Sequence, residues 1–247
     1  MCFSLFAAEG GLSSFHYPVN EGRKDMLEYE NMDQGPELNK RDIEFLYEVG
    51  CLRFIPRAWR QFLLPNTANL AEHTLRVMWT AATIAKYEKA DTGKVIKMAL
   101  VHDASESRTG DAHYVSRVYT KRDEEAAIRD TLQGTALSGE FFNLWEEYEK
   151  RESIEAKIVK DADNLDVDFE LQEQAARGVK LRDNWNRKEF IYHQLYTETA
   201  KKIFEMIYTS NPDDWHTKAW GGALVLIATI GILSLTTRLA TRGQRLQ

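Results

Sequence analysis

The stretch LAEHTLRVMWTAATIAKYEK, residues 70–89, restricts the fold more than any other part of the chain. Leu70, His73, Val77, Ala81 and Ile84 recur at helical spacing and fall on one stripe. Asn69 stands where an N-cap belongs. TGKVIKMALVHDASE (92–106) repeats the pattern, with Thr92 placed to cap it and Val95, Met98, Ala99 and His102 on one face. RDIEFLYEVGCL (41–52) reads as a helix closed by Gly50, and 123–134, 139–151, 153–177 and 188–209 read as further helices. No segment sustains the period-two alternation of a strand, and no Asn-Gly or Asp-Gly pair joins two strand-like runs. The expected fold is therefore all-α, a helical bundle of about six or more helices.

The apolar stripes run from about residue 39 to residue 210, which we read as one domain. Residues 1–38 hold several Gly, Pro, Ser and Asn with weak periodicity, and read as a variable or poorly ordered N-terminal segment. Residues 211–247 form a C-terminal tail with an apolar helix. Its core, AWGGALVLIATIGILSLTT (219–237), carries no charge and is followed by Arg238, Arg242 and Arg245. A tail anchor, a buried or oligomerising helix and an atypical terminus all fit this run. The anchor is the less favoured reading, because the arginines lie beyond the span and would carry the folded domain across the membrane.

A net charge of −6 gives the chain no global attraction to nucleic acid, so no nucleic-acid partner is expected. Two cysteines, Cys2 and Cys51, make no disulfide framework, which fits a reducing, cytoplasmic setting.

The chemistry sits on the apolar stripes. His73 and His102 lie on buried faces, and Asp103 is next to His102. A lone histidine in such a place is usually a satisfied core residue. An unpaired buried carboxylate is different, since it costs several kcal/mol or gives up its charge. Lys97, the one cation within a turn on the N-terminal side, is poorly placed to help. A cation shared by His73, His102 and Asp103 resolves all three burials, and calls for a further carboxylate. KIVKDADNLDVDFELQ (157–172) offers Asp161, Asp163, Asp166 and Asp168. Helical phase does not choose among them, because the helix looks buried on two sides.

The order H…HD…D resembles the signature of the HD-domain metal-dependent phosphohydrolases. The blocks AEHTLRV (71–77), HDASESRTGD (102–111) and KIVKDADNLD (157–166) are similar to those of the YfbR-like 5′-deoxyribonucleotidases. The resemblance implies one divalent metal ion (Mn, Co, Fe, Zn or Mg) held by His73, His102, Asp103 and Asp163. It implies a catalytic role for Glu106 and a sugar contact for Asp111. It also implies an Arg-Trp pair upstream, in which the arginine orients the phosphate and the aromatic closes over the sugar. Trp59 takes the aromatic place, but Ala58 precedes it, so Arg57 is the nearest substitute for the arginine and Arg60 the second. The expected activity is hydrolysis of (deoxy)nucleoside 5′-monophosphates to nucleoside and phosphate. A dNTP triphosphohydrolase using Lys121 and Arg122, and a non-catalytic nucleotide or metal sensor, are the alternatives. A homodimer is common among relatives of this kind.

Overall fold

The structure is a computed structural model, and it describes residues 37–62, 67–185, 187–209, 224 and 227–229. The N-terminal segment, Cys2 with it, and nearly all of the C-terminal tail lie outside the described residues. Among the described residues there are eleven α-helices and no strand, as the periodicity predicts. No helix of that part is long and apolar enough to cross a membrane.

Three helices carry the core. Helix α1, Lys40–Gly50, leads through two 3-10 turns, Cys51–Phe54 and Ala58–Phe62, to α2, Leu70–Glu88. Asn69 closes a full capping box on α2: its side chain accepts from the Glu72 amide, and the Glu72 carboxylate accepts from the Asn69 amide. Glu72 is thus spent on the helix start. Helix α3 spans Thr92–Val101. After the short helices α4 (Glu106–Thr109), α5 (Tyr114–Tyr119) and α6 (Glu124–Leu132) come α7, Ser138–Lys150, and α8, Ile154–Ala176. Val77, Ala81 and Ile84 of α2, Val95, Met98 and Ala99 of α3, and Ile158, Ala162 and Leu165 of α8 pack together with no solvent exposure. Helix α8 therefore runs through the middle, with α2 and α3 against it.

Several expected boundaries shift, each for a local reason. Asp91, not Thr92, caps α3 by accepting from the Lys94 amide. The helix also stops at Val101 and does not continue to Glu106. From there the amides of Ala104, Glu106, Ser107 and Arg108 bond three residues back, the tighter 3-10 winding. The expected helix 188–209 is broken in two, α10 (Arg187–Tyr192) and α11 (Glu198–Thr209), after a short α9 (Leu181–Asn184). The break follows from Asp161 of α8. Its buried carboxylate accepts from the amides of Tyr196 and Thr197 and from the Thr197 hydroxyl, at 2.7–2.8 Å, so these amides cannot continue a helix.

Candidate metal centre

Helices α2 and α8, with the tight turn after α3, bring four side chains to one point. His73 projects from the buried stripe of α2 and is fully buried. His102, at the C-cap of α3, is 3% exposed. The two Nε2 atoms lie 3.3 Å apart. Asp103 Oδ2 is 3.3 Å from His73 Nε2 and 3.2 Å from His102 Nε2, and Asp163 Oδ1 is 3.4 Å from His73 Nε2. Ligand atoms of His73, His102 and Asp163 all lie within 4.8 Å of one another.

The other ring nitrogens fix what these atoms can do. His102 Nδ1 is 2.7 Å from the Ala99 carbonyl, which can only accept, so Nδ1 carries a proton. His73 Nδ1 is 2.6 Å from Asp166 Oδ2, a carboxylate oxygen that likewise accepts a hydrogen bond from a protonated Nδ1. Two Nε2 lone pairs and two carboxylate oxygens are then left facing one another. Something positive has to sit among them, either a proton on His73 or a metal ion. The donor set fits a divalent ion. Metal–ligand distances of about 2.0–2.2 Å place neighbouring donors about 3 Å apart, close to the spacings seen here. Two imidazoles and two carboxylates, with no cysteine, suit Mn, Fe, Co, Zn or Mg in an open site.

The electrostatics agree. Burial and the Arg57 charge oppose a proton on His73, yet Asp103, Asp163 and Asp166 outweigh them and hold its pKa well above the usual value. Burial likewise resists charge on Asp163, but Lys160 and the two imidazoles keep its carboxyl well below the usual range.

The four aspartates left open by helical phase are now sorted. Asp161 holds the start of α11. Asp166 orients His73 and is braced by Arg76 Nε at 2.5 Å. Asp168 accepts from Arg187 at 3.1 Å and from the Tyr208 hydroxyl at 2.9 Å. Of the four, Asp163 is the one that faces the Nε2 side of the imidazoles.

Asp103 has a partner that its own helix does not supply. Arg57, brought in from the loop before α2, places Nη1 3.3 Å from Asp103 Oδ2 and Nε 3.4 Å from Asp111 Oδ2. Lys97 turns away to Glu140. Of the two arginines around Trp59, Arg57 enters the site and Arg60 is exposed. Asp111 also accepts from the Ala58 amide at 2.8 Å, which ties the Arg57–Trp59 backbone to the turn after α4. Trp59 is 7% exposed and lies tilted against Trp185, ring centroids 6.2 Å apart; its Nε1 is buried with no acceptor.

Glu106 begins α4 and is 4% exposed. Arg122 Nη1 donates to its Oε1 at 3.1 Å, while Oε2 is buried without a partner. Burial, with the charges of Asp103 and Asp111, pushes its pKa up to about 9. Arg122 also reaches the Gly110 carbonyl and Glu124. Sequence reasoning passed over Asp166 as an orienter, and over Arg76, Tyr148 and Lys160. Asp166 had a signal in its buried carboxylate; the others have none short of the fold.

A sequence profile described as the HD domain matches residues 49–208, which includes every residue named in this site. The chain belongs to the HD-domain family. This HD domain is 34% identical over 137 residues to a 5′-deoxynucleotidase HDDC2 of Danio rerio, covering 53% of this chain and 68% of that one. It is 31% identical over 137 residues to the Homo sapiens protein of the same name, covering 53% and 67%. Among solved structures, a conserved hypothetical protein from Pyrococcus furiosus superposes with a TM-score of 0.58 at 28% identity, over 68% of this chain and 99% of that one.

Proposed function

We propose that this HD domain is a metal-dependent 5′-nucleotidase that hydrolyses deoxyribonucleoside 5′-monophosphates to nucleoside and inorganic phosphate. The observation that carries the reading is the meeting of two imidazole lone pairs and two carboxylates beside a partly buried arginine. The similarity to proteins named 5′-deoxynucleotidase supports the substrate class. His73, His102, Asp103 and Asp163 would hold the ion, which supplies charge neutralisation at phosphorus and a more acidic water.

The chain's own groups do the rest. Arg57 binds the phosphate, since a planar guanidinium matches two phosphate oxygens at once. Glu106 orients the attacking water at Oε2 and would take its proton once a bound cation offsets the Asp103 and Asp111 charges that raise its pKa, while Arg122 keeps Oε1 in place. The water oxygen bonds to phosphorus, the bond from phosphorus to the 5′ oxygen breaks, and the leaving oxygen takes up a proton from solvent water. Trp59, with an indole N–H that lacks an acceptor, and Asp111 flank Arg57 and would meet the sugar. Arg122 is engaged by Glu106 and Glu124, which argues against its serving the extra phosphates of a triphosphate. We take residues 39–210 as the hydrolase unit, working in the cytoplasm.

The test is phosphate release from a panel of dNMPs, NMPs and dNTPs by chelated protein, with Mn²⁺, Co²⁺ or Mg²⁺ added back, beside Asp103→Ala. Metal-restored release from dNMPs that Asp103→Ala abolishes is the expected result. Release of triphosphate from dNTPs alone would replace the proposal with a triphosphohydrolase. Nucleotide binding with no turnover would leave a sensor.

A further inference from the structure

Asp163 presents its two oxygens to different worlds. Oδ1 faces His73 Nε2 at 3.4 Å, inside the candidate metal centre. Oδ2 is held from behind. Lys160, one helical turn earlier on α8, places Nζ 2.7 Å from it, and the Tyr148 hydroxyl of α7 donates to it at 3.5 Å, the outer limit of a hydrogen bond. Tyr148 is itself fixed. Its ring is 3% exposed, meets His102 edge-on with centroids 5.5 Å apart, and lies under the Arg151 guanidinium at 3.3 Å. One tyrosine therefore touches two of the four presumptive ligand side chains, and neither it nor Lys160 reaches the centre.

A carboxylate with both oxygens free can close on a metal through two atoms. One whose second oxygen is already taken by an ammonium and a phenol offers a single atom. We infer that Lys160 and Tyr148 are positioning residues that hold Asp163 to one-oxygen ligation and so keep one further coordination position open for substrate. The inference rests on the metal-centre reading and deepens it. Lys160 is well suited, because its head group is charged and its side chain is one-third exposed, so it can bind Oδ2 without being buried unpaired.

The consequence runs opposite to that of an ordinary supporting contact. Losing the clamp frees Asp163 to supply both oxygens. Metal affinity is then kept or increased while turnover falls. A merely structural role would lower both.

The variants are Lys160→Met, Lys160→Arg and Lys160→Met/Tyr148→Phe in the full chain. The measurements are Mn²⁺ affinity by calorimetry, the water-proton relaxation enhancement of the Mn²⁺ protein, and steady-state kcat and KM for dNMP. With four protein ligands on a six-coordinate ion about two positions stay open, so loss of one lowers the relaxation enhancement by about half. The expected result in the Lys160→Met and double variants is that drop, a Mn²⁺ Kd equal to or below that of wild type, and kcat reduced at least tenfold. Lys160→Arg, which keeps a cation on Oδ2, should recover most of kcat. Unchanged relaxation and kcat in folded Lys160→Met would overturn the clamp while leaving the nucleotidase intact. A fall in metal affinity parallel to kcat would make Lys160 an ordinary supporting contact, and also overturn it. If wild type binds no Mn²⁺ and releases no phosphate, the metal-centre reading fails first, which the wild-type arm shows by itself.

Discussion

Asp161 and Asp163 are two residues apart on one helix, and the structure gives them opposite work. Replacing Asp161 by Ala removes the acceptor for three donors: the Tyr196 amide, the Thr197 amide and the Thr197 hydroxyl. Asp161 is fully buried and Thr197 is 4% exposed, so water cannot take over the Thr197 bonds without opening the start of α11. At about 1–1.5 kcal/mol for each donor left without its acceptor, the loss comes to about 3–5 kcal/mol. A chain of this size has a urea m-value of roughly 2–3 kcal/mol/M, so the midpoint should fall by about 1–2 M. Asp163→Ala, by contrast, removes one carboxylate from a crowded group and leaves no helix end uncapped. Its metal-free midpoint should lie within about 0.5 M of wild type, while its Mn²⁺ affinity and phosphate release are lost. Urea titrations of chelated protein followed by circular dichroism, with calorimetry for the metal, give both readings. If Asp161→Ala unfolds like wild type, or if it loses metal while keeping its stability, the assignment of these two aspartates is wrong.

Arg122→Gln should lower kcat for dNMP about ten- to a hundredfold with little change in KM, because it releases Oε1 of Glu106 without touching Arg57; steady-state kinetics check this. Saturating metal should raise the melting temperature of chelated protein: a hundredfold excess over Kd contributes about 2.7 kcal/mol, or roughly 5–10 °C in a scanning melt. Metal uptake should also expel at least one proton near neutral pH. Burial and Arg57 oppose a proton on His73, but its three aspartates keep that pKa high, so the metal replaces a proton there and binds more tightly as pH rises. Calorimetry in buffers of different ionisation enthalpy counts that proton. Away from the site, burial raises the Glu48 pKa, but Arg108 at 2.5 Å and Arg41 at 3.2 Å outweigh it and bring it below 4.5. A depressed carboxyl contributes stability that is complete above its unfolded pKa and is lost as pH falls through the folded one. Glu48→Gln should therefore cost about 1 kcal/mol or less at pH 7, given solvent screening, and leave a flatter decline below about pH 4.5 in urea titrations.

The helices were legible because apolar stripes such as Leu70, Val77, Ala81 and Ile84 have to find one another whatever the details. What escaped was set by contacts between distant segments. The break between α10 and α11 is dictated by Asp161, some 35 residues away, and nothing local to 193–197 announces it. Asp103 looked stranded because its cation, Arg57, is 46 residues upstream. Residues 157–172 carry four aspartates at positions that one helical phase cannot separate. Only the placement of α2, α11 and Arg187 around α8 divides them into a capping residue, an orienter, an ion-pair partner and a group that faces the imidazoles. Trp59 is picked out by the resemblance to an upstream Arg-Trp pair, but its packing against Trp185 is not.

Arg57 is engaged twice, by Asp103 on one side and Asp111 on the other. A phosphate offered to that guanidinium has to compete with two carboxylates already in place. A cation arriving at Asp103 weakens the first of them and adds a positive charge in the same direction. If Arg57 binds the phosphate as proposed, metal should bind ahead of nucleotide, and chelated protein should hold a dNMP more weakly than metal-loaded protein does.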